Sequence, residues 1–323
     1  MKTRHFLKTL AACALLAGGM ASTWAQSPNT TRPVRMVVPF PPGTATDLAA
    51  RVMANHLQGA LGQAFVVENK PGAGGSIAAM EVIRSAPDGH TLLFSSNSAL
   101  ASNVALLKSI PYDPNKDFSP VAGIGENMLV LMVRADHPAK TAAELLAYIK
   151  QRPGKVNAGY GSSSSQVCIA VLNKLGNVDA VGVPYKGIPL AVNDVLGGSL
   201  DFTFVDLGNA MAQAKGGKMR ALGITASKRS PLVPDWPALA EGLPGFDITA
   251  WFGIAGPAGL PKDVADRLHA AVAQGLVSTE VKDKLAGIGI QPLPMRPDQM
   301  KAFISAEVTK WVRLVKEANL QPE

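Results

Sequence analysis

The feature that most constrains this chain is a repeated order: a short run rich in β-branched residues, a loop rich in glycine and hydroxyl side chains, then a helical stretch. A buried strand at 34–38 stops at Pro39, the loop PFPPGTATD follows, and a helical pattern covers 48–61 until Gly62 ends it. A strand at 65–67, a second glycine loop, a helix to about 84 and a strand at 91–94 repeat the unit. It resumes with a strand at 128–133, a helix at 141–151 opened by the capping box Thr141-x-x-Glu144, and a strand at 156–160. A helix to 175, a strand at 180–185, a helix at 189–196 and strands at 201–205 and 220–225 complete the second series. Alternation with connections this short predicts parallel sheets covered by helices.

The last third differs. After a proline-rich connection at 231–244 and a strand at 248–255, helices start at Pro261, Ser278 and Pro297. With 323 residues the chain has length for about two domains. Two α/β lobes and a helical tail are expected, the tail packing on the first lobe if the chain crosses between lobes twice. A 47% hydrophobic and 17% charged composition excludes wholesale disorder.

Residues 1–25 read as an export signal: Lys2, Arg4 and Lys8, an apolar run at 10–17, and small residues around Thr23-Trp24-Ala25 that permit cleavage before Gln26. The run is too short to span a bilayer and is broken by Gly18-Gly19. Cys13 follows small residues, as in a lipoprotein signal, but falls too early, so soluble export is favoured. Without this segment the net charge of +7 drops by three, to +4. No dense basic tract suggests nucleic acid, and Cys168 alone remains, so no internal disulfide forms.

Three loops share one physical character: Pro42 to Asp47, Gly72 to Ser76, and Gly161 to Ser165. Each precedes a helix, where backbone N–H groups and the positive end of the helix dipole point outward. Glycine permits close approach and hydroxyls add donors, so an anion can be held without lysine or arginine. Taken singly, each loop is also explained as a helix cap, Thr44-x-x-Asp47 among them. In an open α/β sheet such loops gather at the carboxyl ends of the strands.

Other chemistries find no motif. Ile77 stands where a dinucleotide fingerprint needs its third glycine, and no phosphate loop or nucleophile elbow is present. His56, His90, His137 and His269 are scattered without ligand spacing. Cys168, between Val167 and Ile169, reads as a buried small hydrophobe, and an exported serine hydrolase using Ser162 to Ser165 lacks a histidine placed by motif. No catalytic residue, metal or cofactor is expected.

The stretches VPFPPGTATDLAAR, ENKPGAGGSIAA, SAPDGHTLLF, VPYKG and the tail from Pro261 to Ile290 occur in this order. Together they resemble the Bug family, the solute receptors of tripartite tricarboxylate transporters. The resemblance implies a type II periplasmic binding fold: lobe 1 over 26–124 and 246–323, lobe 2 over 125–245, and a hinge between them. It implies a periplasmic monomer that captures a small organic carboxylate and delivers it to a large and a small membrane subunit, or presents it to a sensor kinase. The residues singled out for the ligand are Phe40, Pro41, Gly43, Thr44, Thr46, Asp47, Ala73, Gly74, Gly75 and Ser96 on the first lobe. On the second they are Ser162, Ser163, Ser164, Ser165, Tyr185 and Asp206. The chain departs from the family pattern at Thr44 and Ala78, where glycine is usual, and at His90, where tyrosine is usual. Val167 or Cys168 also stands where a histidine is common, which implies a less polar or aromatic acid.

Overall fold

The computed structural model describes residues 32–318 and 320–322. The expected export signal, residues 1–25, lies outside the described residues. Two sheets share one strand. In the first, β1 (Val34–Val38) runs parallel to β2 (Phe65–Asn69) and β3 (Thr91–Ser96), and β3 pairs antiparallel with the late strand β9 (Thr249–Pro257). The shared strand is β4 (Phe118–Arg134). From Phe118 to Met128 it pairs with β9, and its other edge takes β10 (Ile290–Met295). From Leu129 onward it belongs to the second sheet, antiparallel to β7 (Phe202–Asp206) and β8 (Met219–Ile224). There β5 (Val156–Tyr160) lies parallel to β7 and to β6 (Ala180–Pro184). The chain therefore passes between the sheets twice, once inside β4 and once in the segment from Thr225 to Ile248.

Helices cover the faces as apolar spacing requires. In α1 (Ala45–Leu61) Ala49, Ala50, Met53, Ala54 and Leu57 are buried, Thr44 caps the start, and Gly62 at φ +63° closes the end. Next come α2 (Ser76–Ile83), a π-helical turn at Ser98–Ser102 that leads into α3 (Asn103–Leu106), and α4 (Ala142–Lys150). In the second half lie α5 (Ser163–Gly176), α6 (Ile188–Gly197) and α7 (Leu207–Lys215). The tail is α8 (Lys262–Val277), α9 (Thr279–Gly287) and α10 (Pro297–Glu317).

The tail packs mainly on the first sheet. Helix α8 lies on α1, where His56 Nε2 sits 2.9 Å from Ala271 O and Gly275 leaves room for the imidazole. On α10, Met300, Ile304, Glu307, Trp311 and Val315 face inward. The buried Glu307 carboxylate accepts from the indole N–H of Trp251 on β9 at 2.7 Å and of Trp311 at 3.0 Å. The far end of α10 reaches the other half, its Glu317 carbonyl accepting from Lys174 Nζ on α5.

Several elements differ from the sequence expectation. The strand expected at 128–133 is the second half of the 17-residue β4, whose first half reads as a loop because of Pro120, Gly123 and Gly125. Those glycines are needed: a Cβ on Gly125 would lie 2.7 Å from Gln291 O, and on Gly123 3.0 Å from Leu293 O. They let β10, an unanticipated strand, lie alongside across shifts in register. Helix α7 was also unanticipated; Asp206 caps it by accepting from the Asn209 N–H at 3.1 Å. Helix α1 begins three residues before the expected start, so Ala45, Thr46 and Asp47 belong to its first turn.

Candidate functional site

Four helices start at one place between the two sheets. The first turns of α1 (Ala45, Thr46) and α5 (Ser164, with its cap Ser162), the start of α6 (Ile188) and the cap of α7 (Asp206) all line one cavity. Its volume is about 50 Å³, and Phe40, Thr44, Ser96, Asn97, Asn127, Leu129, Gly161, Ala250 and Phe252 complete the wall. First-turn N–H groups have no acceptor within their own helix, and each helix carries partial positive charge at this end. The starts of α1, α5 and α6 at one space favour an anion, although no lysine or arginine lines it among the described residues, whereas the start of α7 is already occupied, its Leu207 N–H donating to Asn127 Oδ1 and its Asn209 N–H to Asp206.

The halves meet directly around this cavity. Ser163 Oγ donates to Ser98 Oγ at 2.8 Å, and Ser164 Oγ donates to Asn97 Oδ1 at 3.2 Å. On the rim, Asn209 Nδ2 lies 3.4 Å from Gly43 O, and Gly187 packs so tightly on Pro41 that an added Cβ would stand 3.0 Å from Pro41 Cδ. A second cavity of about 320 Å³ lies beside the first, sharing Phe40, Gly161 and Ser162 with it. It takes in Gly72, Ala73, Gly74, Gly75, Ser163, Tyr185 and Lys186.

The residues singled out from sequence thus divide. Phe40, Thr44, Thr46, Ser96, Ser162, Ser164 and Asp206 border the inner cavity, whereas Ala73, Gly74, Gly75, Ser163 and Tyr185 border the outer one. Pro41, Gly43, Asp47 and Ser165 line neither. Asp47 is 1% exposed, and its carboxylate accepts from the Gly43 N–H and Asn69 Nδ2, both at 2.9 Å, and from Arg51. Burial would raise the Asp47 carboxyl, but Arg51, the Gly43 amide and Asn69 outweigh it and hold the pKa below the ordinary value. Asp47 therefore ties the loop, and the Gly43 amide is committed to it. Ser165 is likewise occupied, its hydroxyl taking the N–H groups of Gly161 and Ser162 at 3.1 Å each. The Tyr185 hydroxyl donates to Asp194.

Two residues the sequence reading passed over matter most. Asn97, 0% exposed after β3, and Asn127, 2% exposed on β4, both border the inner cavity. Neither Nδ2 has a hydrogen-bond partner among the described residues. A polar residue at the end of an apolar strand run was the available signal. Val167 and Cys168 are wholly buried and border neither cavity, so the argument from them to a less polar ligand is corrected. Burial raises the Cys168 thiol pKa well above its ordinary value, which makes it a poor nucleophile.

Comparison with known proteins adds an independent line. Residues 49–320 match the family described as "Tripartite tricarboxylate transporter family receptor". The chain is 36% identical over 307 residues to protein BugT of Bordetella pertussis, covering 94% of each. Among solved structures, an R. palustris protein described with adipate superposes with a TM-score of 0.88 at 32% identity, covering 91% of this chain and 99% of that one. The periplasmic binding protein BugD gives 0.86 at 32% identity, over 90% and 99%. MatC from Rhodopseudomonas palustris, with bound malate, gives 0.81 at 34% identity, over 88% and 99%.

Proposed function

The chain belongs to the tripartite tricarboxylate transporter receptor family, and from that premise we propose that it is an exported receptor that encloses a small organic carboxylate in the inner cavity. The observation that carries this reading is the convergence of three helix N-termini, those of α1, α5 and α6, on a space with no cationic side chain in its wall among the described residues. A carboxylate placed there accepts N–H groups from both halves and gains from dipoles already aimed at it. Because the donors sit on different halves, affinity depends on both being closed around the guest.

In this reading lobe 1 is 26–124 with 246–323 and lobe 2 is 125–245, moving about the two crossings. Residues 1–25 direct export to the periplasm, and the partners are the large and small membrane subunits of a tripartite transporter. Adipate and malate in related structures support the carboxylate class.

The test is a thermal-shift and calorimetric screen of the purified protein against mono-, di- and tricarboxylates, amino acids, aromatic acids and matching uncharged amides. A saturable rise in melting temperature with acids, and none with their amides, is expected. Binding only of the amides, or of no acid, would overturn the reading.

A further inference from the structure

Resting on that reading, we propose that the inner cavity selects carboxylates bearing a hydroxyl, which its wall reads through Asn127 and Asp206, with Asn97 supplying a further donor. Three observations lead there. First, the orientation of Asn127 is set: its Oδ1 accepts from the Leu207 N–H at 3.3 Å, which leaves Nδ2 as an N–H donor without a partner among the described residues. Second, Asn97 Oδ1 is taken by Ser164 Oγ, which leaves its Nδ2 likewise unmatched in a residue 0% exposed. A buried donor left without an acceptor is costly, so an oxygen is wanted at this wall.

Third, Asp206 borders the same cavity, and the residue that follows it, Leu207, donates its N–H to Asn127 Oδ1. Among the described residues the Asp206 carboxylate accepts from the Asn209 N–H and from Asn209 Nδ2, which straddles both oxygens, while a carboxylate offers about four acceptor positions. A donor on the guest can take a position that Asn209 leaves open. Burial raises the Asp206 carboxyl against the lowering effect of Asn209.

The three chemistries a guest can bring here are unequal. An ammonium group only donates, so it suits Asp206 and leaves both amides unmatched, and it also meets the positive ends of α1, α5 and α6. A second carboxylate only accepts, so it suits the amides and sets a negative charge against Asp206. A hydroxyl does both, accepting from an amide N–H while donating to Asp206. The cavity is small, about 50 Å³, so a hydroxyl read there lies close to the gripped carboxylate.

Calorimetry on the wild-type protein with malate, succinate and aspartate, and with lactate and propionate, separates the possibilities. The hydroxy acid is expected to bind about tenfold or more tightly than its partners in at least one set, the size of a hydrogen bond to a charged group. In Asp206→Asn, which keeps an oxygen for the Asn209 N–H, this preference should shrink while the hydroxyl-free acid binds as well or better. Equal binding with and without the hydroxyl, or binding confined to acids that lack one, would overturn the inference and leave the receptor reading standing. If no acid of either screen binds, the receptor reading fails and the inference with it. Should Asp206→Asn fail to fold, the wild-type comparison decides.

Discussion

Thr225 and Leu129 are bonded to each other twice, the Thr225 N–H to Leu129 O and the Leu129 N–H to Thr225 Oγ1, each at 2.9 Å. Leu129 is where β4 leaves the first sheet for the second. The same Thr225 hydroxyl donates to Ile248 O at 2.7 Å, and the Thr225 carbonyl accepts the Ile248 N–H at 3.0 Å. One fully buried threonine thus joins the two places where the chain passes between the halves.

Thr225→Val preserves shape and removes the hydroxyl, leaving the Leu129 N–H and Ile248 O without this partner. A loss of about 2–4 kcal/mol is expected from two buried polar groups. Thr225→Ser, which retains the hydroxyl, should lose clearly less. Urea unfolding of both variants measures this, and equal losses would show that the hydroxyl is not the joining group.

The contacts of Ser163 with Ser98 and of Ser164 with Asn97 bridge the two halves rather than lying within either. Ser163→Ala and Ser164→Ala are therefore expected to weaken acid binding by about three- to tenfold each, the worth of one hydrogen bond. The ligand-free melting temperature should change little. A large fall in that temperature with unchanged affinity would contradict the assignment.

Glu307 receives two indole N–H groups and pairs with Lys310 Nζ at 3.1 Å while itself nearly buried. Glu307→Ala strands both indoles and is expected to cost about 2–4 kcal/mol. Glu307→Gln keeps one acceptor oxygen and should cost less. Trp251 and Trp311 also make tryptophan fluorescence a local reporter of the loss.

Asp47 carries a pH prediction. Its folded-state pKa is depressed, so the stabilisation is complete above the unfolded value of about 4 and disappears as pH falls through the lower folded value. Asp47→Asn is expected to cost about 1–3 kcal/mol near neutral pH and progressively less as both proteins are acidified. A difference in stability that stays constant from pH 7 down to about pH 2 would refute the linkage.

Much of the architecture can be read from local chemistry. Thr44, Thr141 and Ser162 before helical runs mark three helix starts, because a cap is satisfied by neighbours in sequence. The first half of β4 cannot be read this way. Gly123 and Gly125 weaken a strand by themselves and make sense only once the β10 backbone lies against them.

The sequence by itself determined the alternation of strands and helices, the caps, and three loops whose donors suit an anion, since each depends on contacts a few residues long. Only the tertiary structure decided which of those donors remain free. Gly43 and Ser165 are consumed inside their own loops, Ala73 to Gly75 face an outer space, and Asn97 and Asn127 become the unmatched donors of the inner one. The physical reason is that a hydrogen-bonding group counts toward a guest only after its own neighbours have taken their share, and those neighbours come from segments far apart in the chain.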